Sequence, residues 1–152
     1  MITFPKAKIN LGLNIVSKRE DGYHNIESCF YPIPWFDCLE VIESASLDFR
    51  SYGLAIPGEE SSNLCLKAYD LIKADFAIPY VAIHLLKNIP MGAGLGGGSA
   101  DGAFTLKMLN ELFELKLSSK ELEAYALQLG SDCPFFIKSE PAIASGRGEN
   151  LA

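Results

Sequence analysis

The chain has 152 residues, 49% hydrophobic and 21% charged, a make-up that suits one soluble globular domain with a core of its own. Its net charge of −6 argues against a nucleic-acid polymer as partner, since such binding is carried by many lysine and arginine contacts, but it leaves room for one small phosphate ligand. No apolar run approaches the roughly 20 residues of a membrane span, and the N-terminus alternates in polarity unlike a secretory leader, so no membrane association and a cytoplasmic location are expected.

In chain order, Ala7–Val16 alternates, with Ile9, Leu11, Leu13 and Ile15 on one side and Lys8, Asn10, Gly12 and Asn14 on the other, the pattern of a half-buried strand. Asp21-Gly22 is a turn signal, and Ile26–Ile33 returns as a second strand. Cys38–Ser44 reads as a third, and Leu47–Ile56 as one or two short strands bent near Gly53. Ser61, Ser62 or Asn63 can cap a helix over Leu64–Ala74. Tyr80–Ile89 is strand-like and stops at Pro90. After a glycine cluster, Phe104, Met108, Leu109, Leu112 and Phe113 share one helical face. A capping box at Ser118–Glu121 opens a helix that ends at Gly130, and Pro134–Lys138 and Ala142–Gly146 read as strands. Strands lead, helices cluster later, and strict alternation is missing, which favours α+β over a doubly wound sheet. Cys29, Cys38, Cys65 and Cys133 show neither a C-x-x-C pair nor metal-ligand spacing, so reduced thiols and no zinc site are expected.

Five of the seven residues from Gly92 to Gly98 are glycine. Such a cluster costs backbone entropy, and its position between an apolar strand and a periodic helix fits a loop whose N–H groups approach an anion better than it fits a linker. A P-loop needs a lysine after its last glycine, whereas Ser99-Ala100-Asp101 follow here. Gly92, Gly94 and Gly97 do match the dinucleotide fingerprint, but the helix leads to a second helix, not to a strand ending in an acid.

The stretch PMGAGLGGGSAD (Pro90–Asp101) resembles the ATP-binding motif of the GHMP kinases. PKAKINLGLNI from Pro5, DGYHNIES from Asp21, GSDCPFF from Gly130 and SGRGE from Ser145 are similar to one branch of that family, in family order along nearly the whole chain. The resemblance implies an α+β GHMP kinase N-terminal domain, of the ribosomal protein S5 domain 2-like fold, over residues 1–152. It also implies a C-terminal GHMP domain that this chain does not contain. The implied activity is ATP-dependent phosphorylation of the 2-hydroxyl of a small molecule, 4-diphosphocytidyl-2-C-methyl-D-erythritol, with Mg²⁺ on the ATP phosphates, in non-mevalonate isoprenoid synthesis.

The roles follow by resemblance, position by position. ATP would be bound by Pro90, Met91, Gly92, Ala93, Gly94, Leu95, Gly96, Gly97, Gly98 and Ser99. Ser99 would stand at the helix N-terminus, able to cap it and to approach Mg²⁺ or a phosphate oxygen. Asp132 would be the catalytic base and Lys8 its partner, orienting the acceptor hydroxyl and offsetting transition-state charge. Asn10 could bind substrate, Tyr23 would stack on the cytosine and His24 would hydrogen-bond the nucleotide. Asp101, in the first turn, favours the helix dipole and needs no catalytic role, and for Arg147 and Glu149 a structural turn with an Arg–Glu pair is as good an explanation as a functional one. Two other readings stay open: a GHMP kinase for a different small alcohol, and a noncatalytic S5-like binding domain.

Overall fold

The computed structural model describes residues 1–152. In order it has β1 (Ile2–Thr3), β2 (Lys6–Lys18), β3 (His24–Phe36), β4 (Cys38–Ser44), β5 (Asp48–Gly53), a short 3-10 turn (Glu60–Ser62), α1 (Leu64–Asp75), β6 (Tyr80–Lys87), α2 (Gly97–Leu112), α3 (Ser119–Leu129), α4 (Phe135–Lys138), β7 (Ala142–Gly146) and β8 (Asn150–Leu151). The strands form two four-stranded sheets. One runs β1-β4-β6-β5, with β5 parallel to β6 and the other pairs antiparallel; the second runs β2-β3-β7-β8 and is antiparallel throughout.

Period-2 alternation builds the first sheet. Leu39 and Val41 of β4 and Val81, Ile83 and Leu85 of β6 are buried on its inner face. These residues share one core with α1, whose N-cap is Asn63: its side chain accepts from the Cys65 amide at 2.9 Å. Cys65, Ala68, Tyr69 and Ile72 form the buried side of α1. The helix α2 is buried on nearly all sides, which makes it the central rod of the domain. Gly102 lets α1 approach it, because a Cβ there would stand 2.9 Å from the Leu64 Cβ. The capping box of α3 forms as its sequence predicts: the Ser118 side chain accepts from the Glu121 amide, and the Glu121 carboxylate accepts from the Ser118 amide.

Two elements differ from expectation. Pro134–Lys138 is not a strand: Phe135–Lys138 is a single helical turn, entered through Pro134 at φ −56°. Phe135, Phe136 and Ile137 are all buried, and an apolar run this short carries no period that separates strand from helix. In β2, only Lys6–Asn10 is packed; Leu11, Leu13 and Ile15 are all more than half exposed. Register shifts between Leu11 and Leu13 and between Ile15 and Ser17 break the alternation, and the β2–β3 arm reaches beyond the helices that cover its base. No helix is long and apolar enough to cross a membrane.

Candidate active site

The glycine segment lies between the two sheets. At its start, β6 ends against Gly53 of β5, whose φ is +81° and where a Cβ would stand 2.3 Å from the Lys87 carbonyl oxygen. The crest of the loop is open: Gly92 and Gly94 sit at φ +72° and +76° with space around them. Its far end is tied to β2, where the Lys8 amide donates to the Leu95 carbonyl at 2.9 Å. Gly96 then turns the chain into α2 at φ +69°, and a Cβ on it would stand 2.7 Å from Phe136 and 3.2 Å from Lys8 Cγ.

Gly96 is thus the N-cap of α2, and no side chain caps the helix. Ser99 lies inside the first turn and does not fill the capping role expected of it; the glycine N-cap leaves its hydroxyl free of that duty. The amides of Gly97, Gly98 and Ser99 find no acceptor in the chain. Three free N–H groups at the positive end of a buried helix, under an open glycine crest, fit an anionic phosphate chain.

Lys8 and Asp132 come together across this loop. The Lys8 ammonium, on a residue only 4% exposed, lies 3.4 Å from Asp132 Oδ2 and donates to Asn10 Oδ1 at 2.6 Å. It also sits 4.4 Å above the Phe30 ring. Lys8 and Asn10 share a strand face, as their spacing predicts. Asp132 stands in the turn between α3 and α4, where the Cys133 amide donates to Gly130 O at 3.2 Å. Its side chain keeps 32% of its surface exposed, so one side faces solvent. Behind it, Gly148 comes close enough that a Cβ would stand 3.0 Å from Asp132 Oδ1.

Tyr23 and His24 lie elsewhere, at the tip of the β2–β3 arm. Asp21 Oδ1 accepts from the Tyr23 amide at 3.1 Å, which fixes the turn, and both side chains are exposed. Neither touches Lys8 or Asp132.

Sequence reasoning missed a second lysine site on the other flank of the loop. Lys87 is wholly buried and pairs with two aspartates: Asp37, and Asp101 at 2.8 Å. Asp37 Oδ1 also accepts from the amides of Asn88, at 2.6 Å, and Ile89, at 2.8 Å, and so pins the strand end from which the loop departs. The expectation for Asp101 is corrected here: it is buried in the second turn of α2, an ion-pair partner and not a solvated helix-dipole residue. Burial pushes its carboxyl up to about 7 against the pull of Lys87, and its Oδ1 has no partner. Burial alone would pull the Lys87 ammonium down; the two aspartates outweigh it and hold it above its ordinary value.

The signal for this cluster is present in the sequence. Lys87 continues the inward series Val81, Ile83, Leu85, and Asp37 stands two residues before Leu39 on the neighbouring strand, so a charge falls on the apolar face of each. Asp101 and Gly98 also line a cleft of about 320 Å³ with Met91, Phe49, Pro57 and Asn63, directly beside the α2 N-terminus.

Residues 63–140, which carry the loop, α2 and Asp132, match the family model described as the GHMP kinases N terminal domain. The chain belongs to the GHMP kinases. Among curated GHMP kinases it is 57% identical, over 98% of its length, to the 4-diphosphocytidyl-2-C-methyl-D-erythritol kinase of Cytophaga hutchinsonii. It is also 57% identical, over 97% of its length, to the protein of that name from Bacteroides fragilis. It spans about half of these relatives: 55% of the first and 56% of the second. A crystal structure of 4-(cytidine 5'-diphospho)-2C-methyl-D-erythritol kinase superposes with a TM-score of 0.86 at 39% identity, covering 100% of this chain and 54% of that one. Methanococcus jannaschii mevalonate kinase, at 16% identity and a TM-score of 0.69, covers 100% of this chain and 55% of that one and shares the fold.

Proposed function

We propose that this chain is the ATP-binding domain of a kinase that phosphorylates the 2-hydroxyl of 4-diphosphocytidyl-2-C-methyl-D-erythritol, a step of the non-mevalonate isoprenoid precursor pathway. A second domain, corresponding to the remaining length of its relatives, would help to close the substrate cleft. The observation that carries this reading is the position of Lys8. Its backbone holds the glycine loop, its ammonium faces Asp132, and both meet beside three free helix amides.

The amides of Gly97, Gly98 and Ser99 receive the phosphates of ATP, and the glycine crest from Pro90 to Gly96 folds around them. Mg²⁺, within reach of the Ser99 hydroxyl, would supply charge neutralisation on the transferring group. Asp132 accepts the proton of the acceptor hydroxyl, and its open side is where that hydroxyl approaches. Lys8, desolvated and fixed by Asn10 and Phe30, places a positive charge where negative charge develops. The cytidyl group extends along the β2–β3 arm, with Tyr23 stacked on the base and His24 at its edge. The cleft lined by Met91, Gly98 and Asn63 lies where the nucleoside of ATP would continue from its phosphates. Four free cysteines support a cytoplasmic setting, and the net charge of −6 supports a small-molecule partner over nucleic acid.

The test is ADP release from Mg-ATP by the purified protein, comparing the cytidyl substrate with 2-C-methyl-D-erythritol 4-phosphate. Release that requires the cytidyl group and disappears in Asp132→Asn is the expected result. Equal turnover of both acceptors would overturn the substrate assignment.

A further inference from the structure

The Ser145–Glu149 turn contains a charged group that nothing in the fold satisfies. Arg147 is half-buried, its guanidinium forms no ion pair, and its Nε is enclosed without a hydrogen-bond acceptor. The nearby carboxylates are already engaged. Glu149 Oε2 accepts from the Arg147 amide at 2.6 Å, and Asp21 is held by Arg19 at 3.1 Å and by the Tyr23 amide. A guanidinium that finds no acceptor in the chain is short of partners, and its terminal nitrogens, which are not enclosed, are open to one that arrives from outside.

The place of Arg147 says which partner fits. Its backbone neighbour Gly148 lies against Asp132. Its guanidinium carbon lies 5.2 Å from the centre of the Tyr23 ring. One residue therefore spans the gap between the carboxylate at the base of the arm and the aromatic side chain at its tip. Tyr23 is 58% exposed, so the ring keeps surface open for a second contact.

We propose that Arg147 is a substrate-binding residue that holds the diphosphate of the cytidyl substrate, with Tyr23 keeping its guanidinium plane in position. The inference rests on the cytidyl reading above. That reading puts the acceptor hydroxyl at Asp132 and the base at Tyr23, and the diphosphate is what lies between them. The two terminal nitrogens, neither enclosed nor bonded within the chain, present parallel donors, an arrangement that matches two oxygens of a phosphate. A lysine at this position would keep the charge and lose the fork.

The test measures binding of CDP and of cytidine to the purified protein by calorimetry, in the wild type, Arg147→Ala, Arg147→Lys and Tyr23→Ala. Arg147→Ala is expected to weaken CDP by about ten-fold to a hundred-fold, as for a lost hydrogen bond to a charged group, and to leave cytidine within about two-fold. Arg147→Lys should recover part of the CDP affinity, and Tyr23→Ala should weaken both ligands. An equal loss of cytidine and CDP in Arg147→Ala would reduce Arg147 to a support for Tyr23 and overturn the inference. Unchanged CDP binding in both arginine variants would overturn it too, while leaving the cytidyl reading in place. A wild-type protein that binds neither ligand would sink the cytidyl reading and this inference together.

Discussion

Two lysine–aspartate sites flank the glycine loop, and they differ in one respect. Lys8 meets Asp132 with a third of the carboxylate side chain still open to solvent, whereas Lys87 meets Asp37 and Asp101 almost wholly out of water. Both lysines touch the loop, Lys8 at Gly96 and Lys87 at Gly97. The open pair leaves a carboxylate free to exchange a proton with a visitor. The trio is nearly closed: Asp37 is spent on Lys87 and on the amides of Asn88 and Ile89, Asp101 Oδ2 is held by Lys87, and only Asp101 Oδ1 is left without a partner. In the mechanism proposed above, similar side chains thus serve reaction on one flank and architecture on the other, and the water left at the carboxylate is what separates them.

The contrast makes separable predictions. Asp132→Asn should lower kcat by about 10²–10⁴-fold, the usual size of a lost general base, with a thermal midpoint close to wild type. Steady-state rates and calorimetry together check it, and a large drop in midpoint would place Asp132 with the structural site instead. Lys87→Met leaves two buried carboxylates without their cation and should cost roughly 3–5 kcal/mol of stability, measured by urea denaturation. A cost near zero would mean that the trio is not a closed ionic unit.

Gly96→Ala combines a left-handed backbone with a 2.7 Å approach to Phe136, and should raise KM for ATP by displacing the loop. The cost of the backbone alone is about 1–2 kcal/mol. A further effect is a pH slope. Because folding raises the Asp101 carboxyl to about 7, the folded state binds the extra proton. Its contribution is fully present at low pH and is lost as pH rises from about 4 through 7. Asp101→Asn should flatten that decline; denaturation midpoints across the window read it directly.

Much of this fold is legible in the sequence because local signals and tertiary packing agree. Cys38–Ser44 runs in the structure between the same two residues that the sequence reading gives it, and the Ser118–Glu121 box caps its helix. The glycine loop is legible because so many glycines have no other economical use. Where local pattern failed, packing overruled it. The alternation of Ile9 to Ile15 speaks of one buried face, but burial depends on what covers the strand, and the outer part of β2 is uncovered. Phe135-Phe136-Ile137 is too short to show a period, and Pro134 starts a helical turn. At the site, the motifs lead to Lys8 and Asp132, which the fold brings within 3.4 Å. The Asp37–Lys87–Asp101 trio needed the strand register as well, since Cys38 opposite Leu86 is what brings the residues beside them face to face.

The crest of the glycine loop has a consequence that concerns handedness. At Gly92 and Gly94 an added Cβ would meet no atom within 4 Å, so crowding is not what requires glycine there. The barrier is the positive φ, which an L residue resists and its mirror image prefers. A D-alanine introduced at either position by chemical ligation would fit the backbone that an L-alanine distorts. These two glycines are thus achiral stand-ins, in a ribosomally made chain, for residues of the opposite hand.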